Sequence, residues 1–381
     1  MGKHLVLVGG GHAHLTTILK IPDFIARGHR VTVVGPGPYH YYSGMAPGVL
    51  SGYYRPQEIR FHTRKTVQDR GGRFVEDKVV RVDPDKRELT LVSGELLPYD
   101  VASFNIGSQV SNDLLAGNSR TVFKVKPIEN LLRGKKAVES RLSTLEADGK
   151  LRLTVVGGGP AGVELAGALS KLAGGSNVSI DLITGGDLLH GHPEKVRSHV
   201  KTSLENRDIR IMTGVRAESI AENSVQLDDG TKIPSDLTFV ASGVKPNPLF
   251  VNSPVPTGDG GGLLVNEYLQ SVKFPEIFGG GDCISLSGQE LARVGVYAVR
   301  QNPVLFANLL AALDDKPLET FKPGSPSFLL ILNMSDDTAI LRKGGWITRS
   351  RWAFRMKDFI DRRFMRKFQV SGEIAEPLGD L

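Results

Sequence analysis

Leu153-Thr154-Val155-Val156-Gly157-Gly158-Gly159-Pro160-Ala161-Gly162-Val163-Glu164 is the stretch that decides the fold: an apolar run, then Gly157-x-Gly159-x-x-Gly162, then a helical pattern. It reads as a buried strand turning sharply into a helix. The first glycine makes the turn, the second lets the backbone approach a phosphate, and the third allows close helix–strand packing. A dinucleotide pyrophosphate then rests on the free N–H groups of the helix start. Near the N-terminus the pattern occurs again, as His4-Leu5-Val6-Leu7-Val8 followed by Gly9-Gly10-Gly11-His12-Ala13-His14. There Gly9 and Gly11 are in place, and His14 stands where the third glycine belongs. Later strands end in Gly107 and in Gly243, so the chain reads as an internal duplication.

Working outward, the first copy continues through a helix (13–20), a strand (30–34) and a loop, Gly35–Tyr54, rich in Gly, Pro and Tyr. Its Tyr39-His40-Tyr41-Tyr42 cluster either shapes a pocket or fills a core. Arg73–Asp83 and Glu88–Leu91 alternate like strands of a small antiparallel sheet. The second copy has strands at 178–183, 209–212, 225–227 and 236–241. The acid that usually grips an adenine ribose is missing after both second strands, where Gly35 and Thr184 stand instead. The pyridine nucleotide is therefore left open. Ile277-Phe278-Gly279-Gly280-Gly281-Asp282-Cys283 reads as a strand running into a turn. Asp282 there either accepts a hydrogen bond from a ribityl chain or caps a helix.

With 381 residues and 44 glycines the chain is expected to form two or three α/β domains. Its single cysteine, Cys283, excludes a redox dithiol within the chain and reads as a buried filler. His12/His14 and His190/His192 lack a third partner in sequence, so no metal is expected. No apolar run is long enough to span a membrane, and because the first strand begins almost at Met1 no leader is expected. A cytoplasmic protein is expected. The formal net charge is +6, with ten basic residues and only Asp358 and Asp361 opposing them between 342 and 367. That patch suits a membrane surface or an acidic partner better than nucleic acid, and no nucleic-acid role is expected. A helix over 349–368 would gather Trp352, Met356, Phe359, Ile360, Phe364 and Phe368 on one arc, opposite Arg351, Arg355, Arg362 and Arg366. It would either lie in a membrane interface or pack on its own N-terminal domain or at a dimer contact.

The expected fold class is α/β. Two Rossmann-like, three-layer ββα dinucleotide-binding domains are joined by a small C-terminal α+β module, the second domain being inserted in the first. The expected boundaries are 1–110 with 245–313, then 111–244, then 314–381.

On these residues the chain resembles the flavoproteins with two dinucleotide folds, which hold FAD in the first fold and NAD(P)H in the second. Gly-Gly-Gly-Pro-Ala-Gly-Val-Glu-Leu-Ala-Gly, from Gly157, is similar to the type II NADH:quinone oxidoreductases. Tyr42–Gly48, Val294–Gln301 and the Trp352–Met365 pattern resemble the flavoprotein module associated with selenide,water dikinase. The resemblance implies an FAD-dependent NAD(P)H dehydrogenase. Gly9, Gly10, Gly11, His12 and Ala13 would cradle FAD, with Gly35 and Val79 near its adenine and Gly107, Gly281 and Asp282 near its ribityl end. Gly157, Gly159, Pro160, Ala161, Gly162 and Gly243 would hold NAD(P)H, and Glu164 would orient the nicotinamide. Electrons would leave past Pro47, Tyr297 and Gln301. Type II quinone reductases carry Ala-Gln-x-x-x-Gln at that place, where this chain has Tyr297 and then Gln301. The acceptor therefore reads as a quinone, another small acceptor or a carrier protein, unless the chain is a flavin-bound accessory or sensor module in selenium metabolism. A homodimer is expected by resemblance.

Overall fold

The strand His4–Val8 is buried at every position, which its apolar composition requires. A computed structural model describes residues 2–378 apart from 112, 116–119, 176 and 326. In it that strand is the middle of a five-stranded parallel sheet, with Arg30–Gly35 and then Arg73–Glu76 on one side and Val101–Phe104 and then Ile277–Gly279 on the other. Leu151–Val156 occupies the same place in a second parallel sheet. It is flanked by Val178–Thr184 and Ile209–Thr213 on one side and by Leu237–Val240 and Val122–Lys124 on the other. Each sheet is followed by a three-stranded antiparallel layer, Val79–Pro98 in the first half and Ala217–Pro234 in the second. The duplicated motif is thus a duplicated topology. The edge strands differ in origin, Val122–Lys124 preceding its glycine turn and Ile277–Gly279 following the whole second half.

The two crossings between halves run beside each other, Ser108–Val110 pairing antiparallel with Val244–Pro246. Each follows a glycine with positive φ, Gly107 at +66° and Gly243 at +65°, a region that favours a residue without Cβ. The cores are separately packed. Phe104 meets Phe250 edge-on at 5.3 Å in the first, and Phe123 lies 5.4 Å from Phe239 in the second, contacts worth about 0.5–1.5 kcal/mol each beyond simple burial.

Two local expectations change. Arg73–Glu76 belongs to the parallel sheet, and the antiparallel layer starts only at Val79. The stretch Gly35–Tyr54 is not simply a loop. It contains the helix Ala46–Leu50, started by Pro47, and Tyr41, Met45, Val49, Leu50 and Tyr54 fill the core of the second half. Its Gly and Pro content conceals that burial, because the partner surface comes from elsewhere in the chain.

The C-terminal module is a meander, Leu330–Asn333, Ala339–Lys343 and Trp346–Ser350, followed by the helix Arg351–Phe368. The Ser350 hydroxyl caps that helix by accepting from the Ala353 N–H at 3.2 Å. Met334 O accepts from Arg207 Nη1 at 2.8 Å, tying the module to the second half. Tyr54 donates to Asp358 at 2.9 Å, tying it to the first. The helix packs on its own protein, and the expected apolar arc divides: Phe364 and Phe368 turn inward, while Trp352, Phe359 and Ile360 are 43%, 57% and 41% exposed. The reason is that the inward face also takes Lys357 and Asp361, a buried pair that the apolar pattern could not anticipate.

Candidate active site

The two glycine turns are built alike. Gly9 N donates to Val34 O and Gly157 N to Ile183 O, both at 2.8 Å, and the φ angles are +89° and +128°. A Cβ on Gly9 would lie 2.4 Å from Asn105 O, and one on Gly157 would lie 2.8 Å from Ala241 O, so each glycine is required by backbone on the neighbouring strand. The third position shows how one motif tolerates two residues. A Cβ on Gly162 would stand 1.7 Å from Gly157 O. In the first copy the equivalent carbonyl, Gly9 O, instead lies 2.7 Å from His14 Nδ1, and His14 Nε2 is 2.8 Å from Ser103 Oγ. Burial pushes the His14 imidazole down to about 4, so it is neutral and donates to the carbonyl through Nδ1. His14 therefore points into the sheet and leaves the turn open.

Both turns fit a dinucleotide. Gly159 caps the helix Pro160–Ala173 in extended backbone, and a Cβ there would meet nothing within 4 Å, leaving a cradle beside the free N–H groups of Ala161 and Gly162. At the first turn His12 Nε2 is buried without a partner among the described residues, a polar atom that a bound group can satisfy. Its ring sits among His40, Tyr42 and Phe364.

Asp282 caps no helix, since the next begins at Gly295. Its Oδ2 accepts from Ser108 Oγ and from Lys126 Nζ, both at 2.8 Å. Lys126 carries no motif and was invisible in the sequence. The neighbouring Gly281 N donates to Gln301 Oε1 at 2.6 Å. Gln301, 1% exposed, thus shapes the Asp282 turn. Cys283 is buried, and burial pushes its thiol up to about 12, so no thiolate forms near neutrality. Tyr297 is buried edge-on to Phe328, with the Arg300 guanidinium 5.8 Å from its ring. Pro47 is buried where its helix packs on Pro160–Ala173. Gly35 ends the second strand of the first sheet, its carbonyl accepting from Asp77 N at 3.0 Å, with Val79 two residues further on.

Glu164 is the convergence point. It lies on the helix that the second turn starts, and its Oε1 accepts from Asn333 N at 2.7 Å. Although part of its surface remains accessible, burial dominates and pushes the carboxyl up to about 7, against the opposing pull of Lys357 and of the Asn333 N–H. Lys357 Nζ in turn donates to Asp361 Oδ2 at 2.6 Å and to Gly44 O at 2.7 Å, and Tyr42 donates to Asp361 Oδ1 at 3.0 Å. Three stretches far apart in sequence therefore meet at one carboxyl group. Among the described residues no three His, Cys, Asp or Glu side chains converge to hold a metal.

The pyridine nucleotide-disulphide oxidoreductase family model matches residues 3–301. Ferroptosis suppressor protein 1 of Taeniopygia guttata is 27% identical over 317 residues, 78% of each chain. Demethylphylloquinone reductase NdbB of Synechocystis sp. is 25% identical over 327 residues, 82% of this chain and 80% of its own. The fold is similar to that of NDH2 from Plasmodium falciparum in complex with NADH, with a TM-score of 0.78 at 16% identity, covering 97% of this chain and 99% of that one.

Proposed function

The chain belongs to the pyridine nucleotide-disulphide oxidoreductase family and is an FAD-dependent NAD(P)H oxidoreductase, and we propose that its electron acceptor is a quinone. The observation that carries this reading is Glu164, a protonatable carboxyl enclosed by Asn333, Lys357 and Asp361. Reduction of a quinone by NAD(P)H consumes one proton from outside the nucleotide, giving NAD(P)+ and quinol. Bound FAD supplies the redox chemistry, accepting a hydride and releasing an electron pair. The protein's part is to bind, orient and manage the proton. Gly9–Ala13 and Asp282 would hold FAD, and Gly157–Gly162 would hold NAD(P)H. Glu164 would carry the proton on Oε2 while Oε1 stays fixed by Asn333. Lys357, Asp361 and Tyr42 are hydrogen-bonded to one another, and Lys357 and Asp361 act on Glu164 through their charges. Relatives described as reducing demethylphylloquinone, or ubiquinone with NAD(P)H, support the same acceptor class, and a lone buried cysteine leaves no dithiol to intervene.

The test is rapid mixing of anaerobic holoprotein. NAD(P)H should bleach the flavin, and a short-chain ubiquinone should restore its colour much faster than dioxygen does. Bleaching without quinone-dependent recovery points to a carrier protein as acceptor, and no bleaching points to a sensor.

The outward face of the C-terminal helix is proposed to rest on a membrane at its cytoplasmic side. Trp352 stacks on Trp346 with ring centroids 5.3 Å apart, and Phe359 and Ile360 share the exposed side with Arg355, Arg363, Arg366 and Lys367. Aromatic anchors among basic residues suit an anionic lipid surface. Flotation with anionic liposomes should be lost when Trp352, Phe359 and Ile360 are all changed to Ser, with flavin content unchanged. Equal flotation of the variant refutes the contact.

A further inference from the structure

The strand Val178–Thr184 lies parallel to Ile209–Thr213 with Thr184 opposite Thr213, so the segments that follow both emerge at the same carboxyl edge. In a dinucleotide fold the adenine ribose lies at that edge. An acid ending the second strand grips the 2′-hydroxyl and repels a 2′-phosphate. This chain offers no free acid there. The Thr184 side chain is used inside the turn, where a Cβ on Gly158 would stand 2.5 Å from its Oγ1. Asp187 is held by Arg197 Nη1 at 2.9 Å, and Arg197 also holds Glu194.

What occupies the edge is Arg216, from the segment after Ile209–Thr213. A Cβ on Gly185 would lie 2.3 Å from Arg216 Cγ and 2.8 Å from its Nε. The glycine that stands beside the ribose-binding place is what allows the arginine to lie flat against the strand end. The Arg216 backbone is fixed on both sides, its N–H donating to Asp228 Oδ1 and its carbonyl accepting from Asp228 N, each at 2.9 Å. Its side chain is exposed and has neither hydrogen bond nor ion pair among the described residues. An arginine that is anchored by its backbone, and whose guanidinium has no hydrogen bond or ion pair among the described residues, matches a phosphate group geometrically, through a planar fork of donors.

We propose that Arg216 binds the 2′-phosphate of NADPH and makes NADPH the preferred reductant. The inference rests on the second glycine turn holding a pyridine nucleotide, and it does not depend on the acceptor. Calorimetric titration of the FAD-loaded protein with adenosine 2′,5′-bisphosphate and with 5′-AMP tests it without turnover, so failure of the quinone reading leaves the result unaffected. The bisphosphate should bind roughly tenfold or more tightly than 5′-AMP, and added salt should reduce the advantage. Arg216→Ala should abolish that advantage while leaving 5′-AMP affinity in place, and Arg216→Lys should retain part of it. Flavin bleaching by NADPH and NADH should follow the same order. Equal affinity of the wild type for the two adenosine ligands overturns the proposal. So does an Arg216→Ala protein that loses both ligands alike, which would make the arginine a support for the adenine or the fold.

Discussion

Gly159→Val is expected to leave the melting temperature and flavin content of the protein nearly unchanged while raising the Kd for NAD(P)H by roughly a hundredfold or more. The separation follows from geometry. Gly159 has φ −77° and ψ −179°, extended backbone that a β-branched residue adopts without strain, and a Cβ there meets no protein atom within 4 Å. The fold therefore has no objection to a side chain. The space that the side chain would fill lies at the start of the helix Pro160–Ala173, where the first N–H groups have no intrahelical partner and the helix dipole favours an anion. Displacing a pyrophosphate from that place removes charge-assisted hydrogen bonds worth about 1.5–3 kcal/mol each. Gly157→Val is the contrasting variant, with φ +128° and backbone 2.8 Å from its Cβ, and should lower stability as well as binding. Calorimetry for Kd and thermal melting for stability check both. A Gly159→Val protein that binds NAD(P)H normally means that the nucleotide lies elsewhere.

Glu164→Gln should slow the proposed quinone reduction and make the protein more stable at alkaline pH. On the functional side, Oε2 carries a proton below about pH 7 and loses it above, so wild-type quinone reduction should fall as pH rises through that value. The glutamine cannot release a proton, and its rate should be lower by roughly a hundredfold, the scale of one general acid, with the limb near pH 7 gone. For stability, the carboxyl has a folded value raised from 4.5 to about 7. Its favourable contribution is fully present below 4.5, declines between the two values and is lost above 7. Forcing the group to ionise in place then costs about 3 kcal/mol. Glutamine keeps an oxygen for the Asn333 N–H and never ionises. Its melting temperature should exceed the wild type's near pH 8, and the two should converge near pH 4.5. An unchanged pH profile with an unchanged alkaline melting temperature would falsify the role given to this carboxyl.

The parts of the site that were legible in sequence are those where local backbone geometry demands a residue type. Gly9 and Gly157 are specified by the positive φ of their turns, +89° and +128°, and Gly162 because a Cβ there would meet the carbonyl of Gly157 only five residues away. Asp282 was legible because it follows a strand and glycines, although its alternative as a helix cap was open until the next helix was seen to begin at Gly295. Lys126, Asn333 and Lys357 carried no such mark. A lysine or a backbone amide has no signature until the fold sets it 2.8 Å from Asp282 or 2.7 Å from Glu164. Gln301 adds a bond that family position does not reveal, its side-chain oxygen accepting from Gly281 N.

The chain's own pattern of apolar runs and glycines determined the two parallel sheets, their duplicated order and the two phosphate-accepting turns, because strand burial and a turn with positive φ are properties of consecutive residues. Only the tertiary structure decided which charges meet. Glu164 is pushed toward its protonated form because folding buries it near Asp361, against the opposing pull of Lys357. Arg216 is available at the ribose edge because Gly185 leaves it room and no acid there stays unpaired. Desolvation and Coulomb interactions depend on distances in space, and residues more than a hundred positions apart reveal those distances only after folding.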